Sequence, residues 1–137
     1  MIGTAYSTRT DRLPIVTPRF KSKKPQTHMA QFDVHRNLGA NKAAIPFVVI
    51  VQSSQFDRYR RRVVVPLMRK SALLMSTPTV GSRMNPVFKV QAIEVVLNPL
   101  DMASVTTDNL GAKAGTLAQH KDKIVDALDE MLTCSWG

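Results

Sequence analysis

Arg58-Tyr59-Arg60-Arg61-Arg62 puts four arginines and a tyrosine into five consecutive residues. Guanidinium forks bind phosphates and carboxylates in bidentate fashion, so the cluster could cradle a phosphodiester or pair with carboxylates. Small barrels that cut RNA place arginines around the scissile phosphate, and they also hold a general base beside it. Glu94 is the only strand glutamate that could serve, which leaves that constellation thin. A solvated turn, or a docking face for an acidic peptide, fits the arginines at least as well.

The other residues that could carry chemistry are dispersed. His28, His35 and His120 are scattered along the chain, and none has a second ligand at metal spacing. There is no Gly-rich phosphate loop and no nucleophile elbow. Cys134 is the lone cysteine, so it forms no intramolecular disulfide. It falls in the last turn of a predicted helix, where the dipole disfavours a thiolate. The expectation is a protein with no catalytic residue, no metal and no cofactor. Trp136, the single tryptophan, stands one residue from the end, followed by Gly137. Termini usually lie at the surface, and surface aromatics are frequent binding anchors. The alternative is that Trp136 folds back and plugs one end of the core.

The elements that must position these residues follow from periodicity. The net charge of +9 over 137 residues is uneven. Residues 1–28 hold six cations against Asp11 and contain Pro14, Pro18 and Pro25 without a sustained pattern. They read as a disordered basic extension, a tag or a misplaced start, with a single mildly basic domain over 29–137. From Gln31 the period is two: Phe32 and Val34 alternate with Asp33 and His35 in a half-buried strand. Ile45 to Val51 is apolar and β-branched apart from Pro46, the pattern of a central strand covered on both faces. Val63 to Leu67 is a third strand, whose Pro66 predicts an edge or a strand end.

Residues 68–83 carry little pattern beyond a helical turn from Ser71 and a loop at Thr77 to Gly81. Val87 to Val90 and Ala92 to Leu97 are two strands or one bent one. Asn98-Pro99-Leu100 breaks the run, and a short apolar segment from Met102 to Val105 leads through a polar, Gly-containing stretch into a helix. Thr116 with Gln119 forms a capping-box pattern, and Leu117, Ile124, Leu128, Met131 and Leu132 recur at helical spacing. The fold class is mainly β with one C-terminal helix, a small curled sheet or barrel. No apolar run is long enough to span a bilayer and no signal peptide opens the chain, so the expected location is the cytoplasm.

In this order the features become recognisable. Residues 30–137 resemble the CcdB family of plasmid-addiction toxins. The resemblance rests on Gln31-Phe32-Asp33-Val34, Val49-Ile50-Val51-Gln52-Ser53, Arg61-Arg62-Val63-Val64-Val65-Pro66-Leu67, Leu100-Asp101-Met102-Ala103-Ser104-Val105, and the terminal helix running to Trp136-Gly137. It implies an SH3-like barrel of the CcdB/MazF type with a small extra sheet, in a homodimer. It implies a non-enzymatic toxin that inserts between the DNA gyrase A subunits and traps the cleaved-DNA complex. Trp136 and Gly137 would make that contact, the indole stacking on a gyrase arginine. A CcdA-like antitoxin would neutralise the toxin through a disordered acidic segment, for which Arg60, Arg61 and Arg62 are reasonable contacts. Operator DNA would be bound only through the toxin–antitoxin complex.

The chain departs from the family at its end. Family tails commonly continue with an apolar residue after Trp-Gly and carry bulky apolar residues before it. Here Gly137 is last and Cys134-Ser135 precedes Trp136. Asn98-Pro99 also replaces the usual Thr-rich lead-in. Two rival expectations therefore stand beside the gyrase poison. One is an RNA-cleaving toxin on the same barrel, and the other is a relative that binds antitoxin but has lost gyrase.

Overall fold

The computed structural model describes residues 29–73 and 80–133. The expectations placed on residues 1–28, on Cys134 and on Trp136-Gly137 lie outside the described residues. The apolar tetrad Phe47-Val48-Val49-Ile50 forms a strand in which every residue is buried, the doubly covered strand its composition predicts. Counted along the described residues, the strands are β1 (Asp33–Asn37), β2 (Phe47–Ile50), β3 (Arg61–Arg69), β4 (Val87–Val90), β5 (Ile93–Leu97), β6 (Ala103–Thr106) and β7 (Leu110–Thr116), followed by helix α1 (Lys121–Leu132). All pairs are antiparallel, in the order β4-β5-β3-β2-β1-β7, with β6 alongside β3.

Strand β3 is the branch point. Its first half pairs with β6, from Arg61 opposite Thr106 to Val64 opposite Ala103. Its last third pairs with β5, from Leu67 opposite Leu97 to Arg69 opposite Val95. With the β4–β5 hairpin, this last third makes the small extra sheet. Pro66 therefore sits inside a nine-residue central strand and not at an edge or an end. Its missing N–H falls where β3 changes partner, and its carbonyl accepts the Asn98 N–H at 3.1 Å. A proline is tolerated at that gap because no ladder bond is lost there.

One face of the curled sheet carries Phe32, Val34, Phe47, Val49, Val65 and Leu67, among others, and is closed by Ile124 and Ala127 of α1. The other carries Val48, Ile50, Val64 and Leu110, with Met29 and Val105 packed on them. Strand β1 is thus buried on both sides, and the half-buried reading of it is corrected: Asp33 and His35 are enclosed. Asp33 and one ring nitrogen of His35 find partners, whereas the buried His35 Nε2 has none. Asp33 Oδ2 accepts the Ala30 N–H at 3.0 Å and meets Lys113 Nζ at 3.4 Å. His35 Nδ1 lies 2.9 Å from the Gly111 carbonyl, which can only accept, so Nδ1 carries the proton.

Two further elements depart from the sequence reading. Residues 110–116 form β7, where a polar connection was expected. This strand has no β-branched run; its pairing with β1 holds it, through two register shifts. Gly111 is required there, since a Cβ would sit 2.9 Å from the Arg36 carbonyl oxygen. The capping box also does not form as expected. Thr116 Oγ1 accepts the Ala118 N–H at 3.1 Å, a 3-10 turn spans Ala118–His120, and α1 begins at Lys121 with no side-chain cap. Ala127 joins Ile124 in the core, whereas Leu132 is 61% exposed. At 100° per residue Leu132 lies about 80° from Ile124, outside the stripe centred on positions 124, 127, 128 and 131.

β4 and β5 are two strands joined by Gln91 and Ala92, both with positive φ (50° and 66°). Two central residues of this kind make a primed hairpin turn that normally takes Asn-Gly. The Gln91 side chain ties the tip across the curl: Oε1 accepts from Arg36 Nη2 at 2.7 Å, and Nε2 donates to the Ala114 carbonyl at 3.3 Å. The two ends of the sheet are thereby linked through side chains. Ala92→Gly should raise stability by about 0.5–1 kcal/mol, because glycine adopts this conformation without the Cβ penalty. Chemical denaturation would check it, and a decrease would mean that Ala92 is not strained.

Candidate functional site

The arginine cluster lies at one end of β3, on a loop built from its own polar residues. Ser53 Oγ accepts the Gln55 N–H at 3.2 Å and caps a 3-10 turn over Ser54–Phe56. Gln52 Nε2 donates to the carbonyls of Phe56 (3.3 Å) and Arg61 (3.1 Å), while its Oε1 accepts the Val63 N–H at 3.2 Å. This fixes Phe56 beside Tyr59, ring centroids 6.1 Å apart, with the Arg58 guanidinium 5.9 Å from the Tyr59 ring. Both aromatics are exposed, at 47% and 55%. An exposed aromatic pair flanked by a cation can grip a partner, and Phe56 escaped the sequence reading because a single aromatic carries no period.

The three consecutive arginines meet different environments. Arg60 is solvated and touches Asp108 at 3.4 Å. Arg61 is exposed and donates to Ser104 Oγ (2.9 Å) and the Ser104 carbonyl (2.8 Å). Arg62 is only 6% exposed. Its guanidinium donates to the carbonyls of Asp57 (2.7 Å), Tyr59 (2.6 Å), Arg61 (3.0 Å) and Met29 (3.1 Å), with Asp57 Oδ1 4.0 Å away. Arg58, Arg60 and Arg61 face outward, and Arg62 holds the loop that presents them.

Glu94 is not beside them. It lies near the opposite end of β3, where Arg69 pairs with β5, and eight residue steps along the strand separate Arg61 from Arg69, roughly 25 Å. Its carboxylate meets Lys70 Nζ at 3.7 Å. His35 is enclosed on β1, and His120 packs at a tilt against Phe88 with centroids 5.5 Å apart. His28 lies outside the described residues. Among the described residues no group of three or more His, Cys, Asp or Glu side chains could hold a metal ion. No helix among them is long and apolar enough to cross a membrane.

A second feature occupies the Glu94 end. The 3-10 turn Lys70–Leu73 and the β4–β5 hairpin enclose an open groove of about 690 Å³, lined by Arg69, Lys70, Leu73, Val80, Ile93 and Glu94. Sequence reasoning had no signal for it, since it joins residues more than twenty positions apart.

A curled antiparallel half-barrel closed by one C-terminal helix is the fold of MazF-type toxins. The chain is similar to a solved endoribonuclease in complex with its cognate antitoxin from a mycobacterial species, at TM-score 0.58 and 19% identity, covering 79% of this chain and 98% of that one. A further solved endoribonuclease from a mycobacterial species gives 0.56 and 19%, covering 79% and 94%. The Mycobacterium tuberculosis toxin MazF-mt6 gives 0.55 and 13%, covering 72% and 93%. The comparison with curated proteins finds no match. The family model of the CcdB protein matches residues 31–134, and the chain belongs to the CcdB family.

Proposed function

We propose that this protein is the toxin of a type II toxin–antitoxin pair, that it acts as a homodimer on the DNA gyrase A subunit without enzymatic chemistry, and that a CcdA-like antitoxin neutralises it. The observation that carries this reading is the family match over residues 31–134, on a half-barrel of the kind solved with an antitoxin. Trp136 and Gly137 are the proposed gyrase contact, four and five residues beyond the last turn of α1. A tryptophan stacked on a guanidinium contributes on the order of 0.5–2 kcal/mol, more when desolvated. A two-fold dimer offers two such anchors to a two-fold target, so their effects compound. Arg60 and Arg61 are available to the carboxylates of an acidic antitoxin segment.

The second reading, an RNA-cleaving toxin, is favoured by the endoribonuclease neighbours of the fold. It is disfavoured by the distance between the arginine loop and Glu94, because a general base must reach the nucleophile beside the phosphate.

Growth and DNA integrity in cells expressing residues 29–137, with and without Trp136→Ala, test the proposal. Killing with DNA breaks that Trp136→Ala abolishes is the expected result. Two harmless but folded proteins would mean that the gyrase contact has been lost. Equal killing without DNA breaks would overturn the assignment of Trp136, and degraded total RNA would then establish the second reading.

A further inference from the structure

We propose that Arg83 is a positioning residue for the C-terminal contact: it latches the last turn of α1 to the loop 81–86 and so sets the direction in which the chain leaves the helix. The latch stands on geometry, and its consequence for Trp136 and Gly137 rests on the gyrase reading above.

The loop is a fixed post. Asn85 is 1% exposed, and its Nδ2 donates to the Leu97 carbonyl at 3.0 Å, at the end of β5. The Leu97 N–H donates to the Pro86 carbonyl at 3.0 Å, and the Gly81 N–H closes the turn onto the Asn85 carbonyl at 2.8 Å. From this post Arg83 reaches across to α1. Its Nη1 donates to Glu130 Oε1 at 2.6 Å, while Nη2 lies 3.8 Å from Asp129 Oδ2 and 3.9 Å from Asp126 Oδ1.

The end of the helix needs a cation. Asp126 stands one turn before Asp129 and Glu130, the spacing at which like charges repel along a helix. Asp129 and Glu130 also lie at the negative end of the helix dipole, and no basic residue stands in that last turn. Beyond Ala127 no side chain of α1 is fully buried, so apolar packing holds the middle of the helix and Arg83 holds its end. Asp129 passes the constraint on. Its Oδ1 accepts from Thr133 Oγ1 at 2.6 Å, and its carbonyl accepts the Thr133 N–H at 2.8 Å. Thr133 is where the chain leaves α1, three residues before Trp136. Partly exposed ion pairs add little to global stability, so the latch governs order at the helix end and not the fold as a whole.

The test compares the full chain with Arg83→Glu, Arg83→Ala and Arg83→Glu/Glu130→Arg. In Arg83→Glu, amide hydrogen exchange at residues 129–133 should speed up by about tenfold or more, while exchange at residues 124–127 and the urea midpoint stay near the parent's. Glu130→Arg should add far more protection to Arg83→Glu than to the parent, the signature of a direct pair. In about 1 M salt, where the screening length falls to about 3 Å, the parent and Arg83→Ala should converge. Affinity for the purified gyrase A subunit should fall by about tenfold in Arg83→Glu and recover in the double variant. Unchanged exchange at 129–133, protection lost evenly over α1 and the sheet, or a Glu130→Arg effect that ignores Arg83 would overturn the latch. Lost protection with unaltered gyrase affinity would overturn the positioning role. If the parent itself does not bind the gyrase A subunit, the gyrase reading fails and the positioning role with it, while the exchange data still decide the latch.

Discussion

Arg62→Ala should destabilise the fold by on the order of 3–5 kcal/mol, more than any other single arginine. The side chain is 6% exposed, and its guanidinium donates to four backbone carbonyls, those of Met29, Asp57, Tyr59 and Arg61. Truncation removes the Arg62 donor from the carbonyls of Met29, Asp57 and Tyr59 in a place water reaches poorly, while the Arg61 carbonyl keeps Gln52 Nε2. Each charge-assisted bond contributes about 1.5–3 kcal/mol when counted alone, and four bonds to one group are not additive. Arg62→Lys should recover only part of the loss, because an ammonium lacks the planar fork that serves carbonyls on several sides. The neighbouring Arg60, whose side chain is 81% exposed, should cost no more than about 0.5 kcal/mol on truncation. Urea denaturation of the three variants measures this, and amide hydrogen exchange over residues 54–60 should accelerate in Arg62→Ala first. Equal effects of Arg60→Ala and Arg62→Ala would refute the clamp.

The contrast between these two arginines marks how far the sequence could be read. The apolar runs at Phe47–Ile50 and Val63–Leu67 declare themselves, because burial on both faces of a sheet selects β-branched residues. Arg60, Arg61 and Arg62 are chemically identical in the chain. The loop closed by Gln52 decides which of them turns inward, and that depends on contacts across the sheet. The same holds for Asp33 and His35. Their alternation signals a solvent face, yet Lys113 and the Gly111 carbonyl arrive from β7 to meet Asp33 and His35 Nδ1. β7 itself was illegible because Leu110–Thr116 contains two glycines, two alanines and a lysine, and only the register with β1 makes it a strand. Pro66 misled for the opposite reason: a local rule was correct about the lost donor but blind to the partner change that makes the loss harmless. The Leu100 to Val105 and Arg61 to Leu67 segments that carry the family resemblance fall on β6 with its lead-in and on β3, two strands paired with one another. The groove beside Lys70 has no linear signature at all.

Ile124→Asp should unseat α1 and cost about 4 kcal/mol or more, while Val125→Asp one position on should cost less than about 0.5 kcal/mol. Ile124 is fully buried against the sheet and Val125 is 52% exposed. The helix has twelve residues and no side-chain cap at its start, so on its own it would be marginal in water. Its order comes from packing, and only Ile124 and Ala127 are fully enclosed, with Leu128 partly so. A carboxylate at 124 either drags its charge into an apolar core or pulls the helix off the sheet, and the second is cheaper. Release would uncover Val49, Val65 and Leu97, so the loss should appear as a lower urea midpoint and as exchange of α1 amides before those of β2 and β3. Under the proposed function the two variants should also differ in cells. Val125→Asp should keep its toxicity and Ile124→Asp should lose it, because Trp136 is the proposed anchor and follows this helix in the chain. Ile124→Ala, costing about 2–4 kcal/mol, should fall between them and keep a measurable folded fraction. If Ile124→Asp folds with native stability, the helix is not held by that side chain. If it unseats α1 and the cells still die, the toxic surface belongs to the sheet, where the exposed Phe56 and Tyr59 stand beside Arg58.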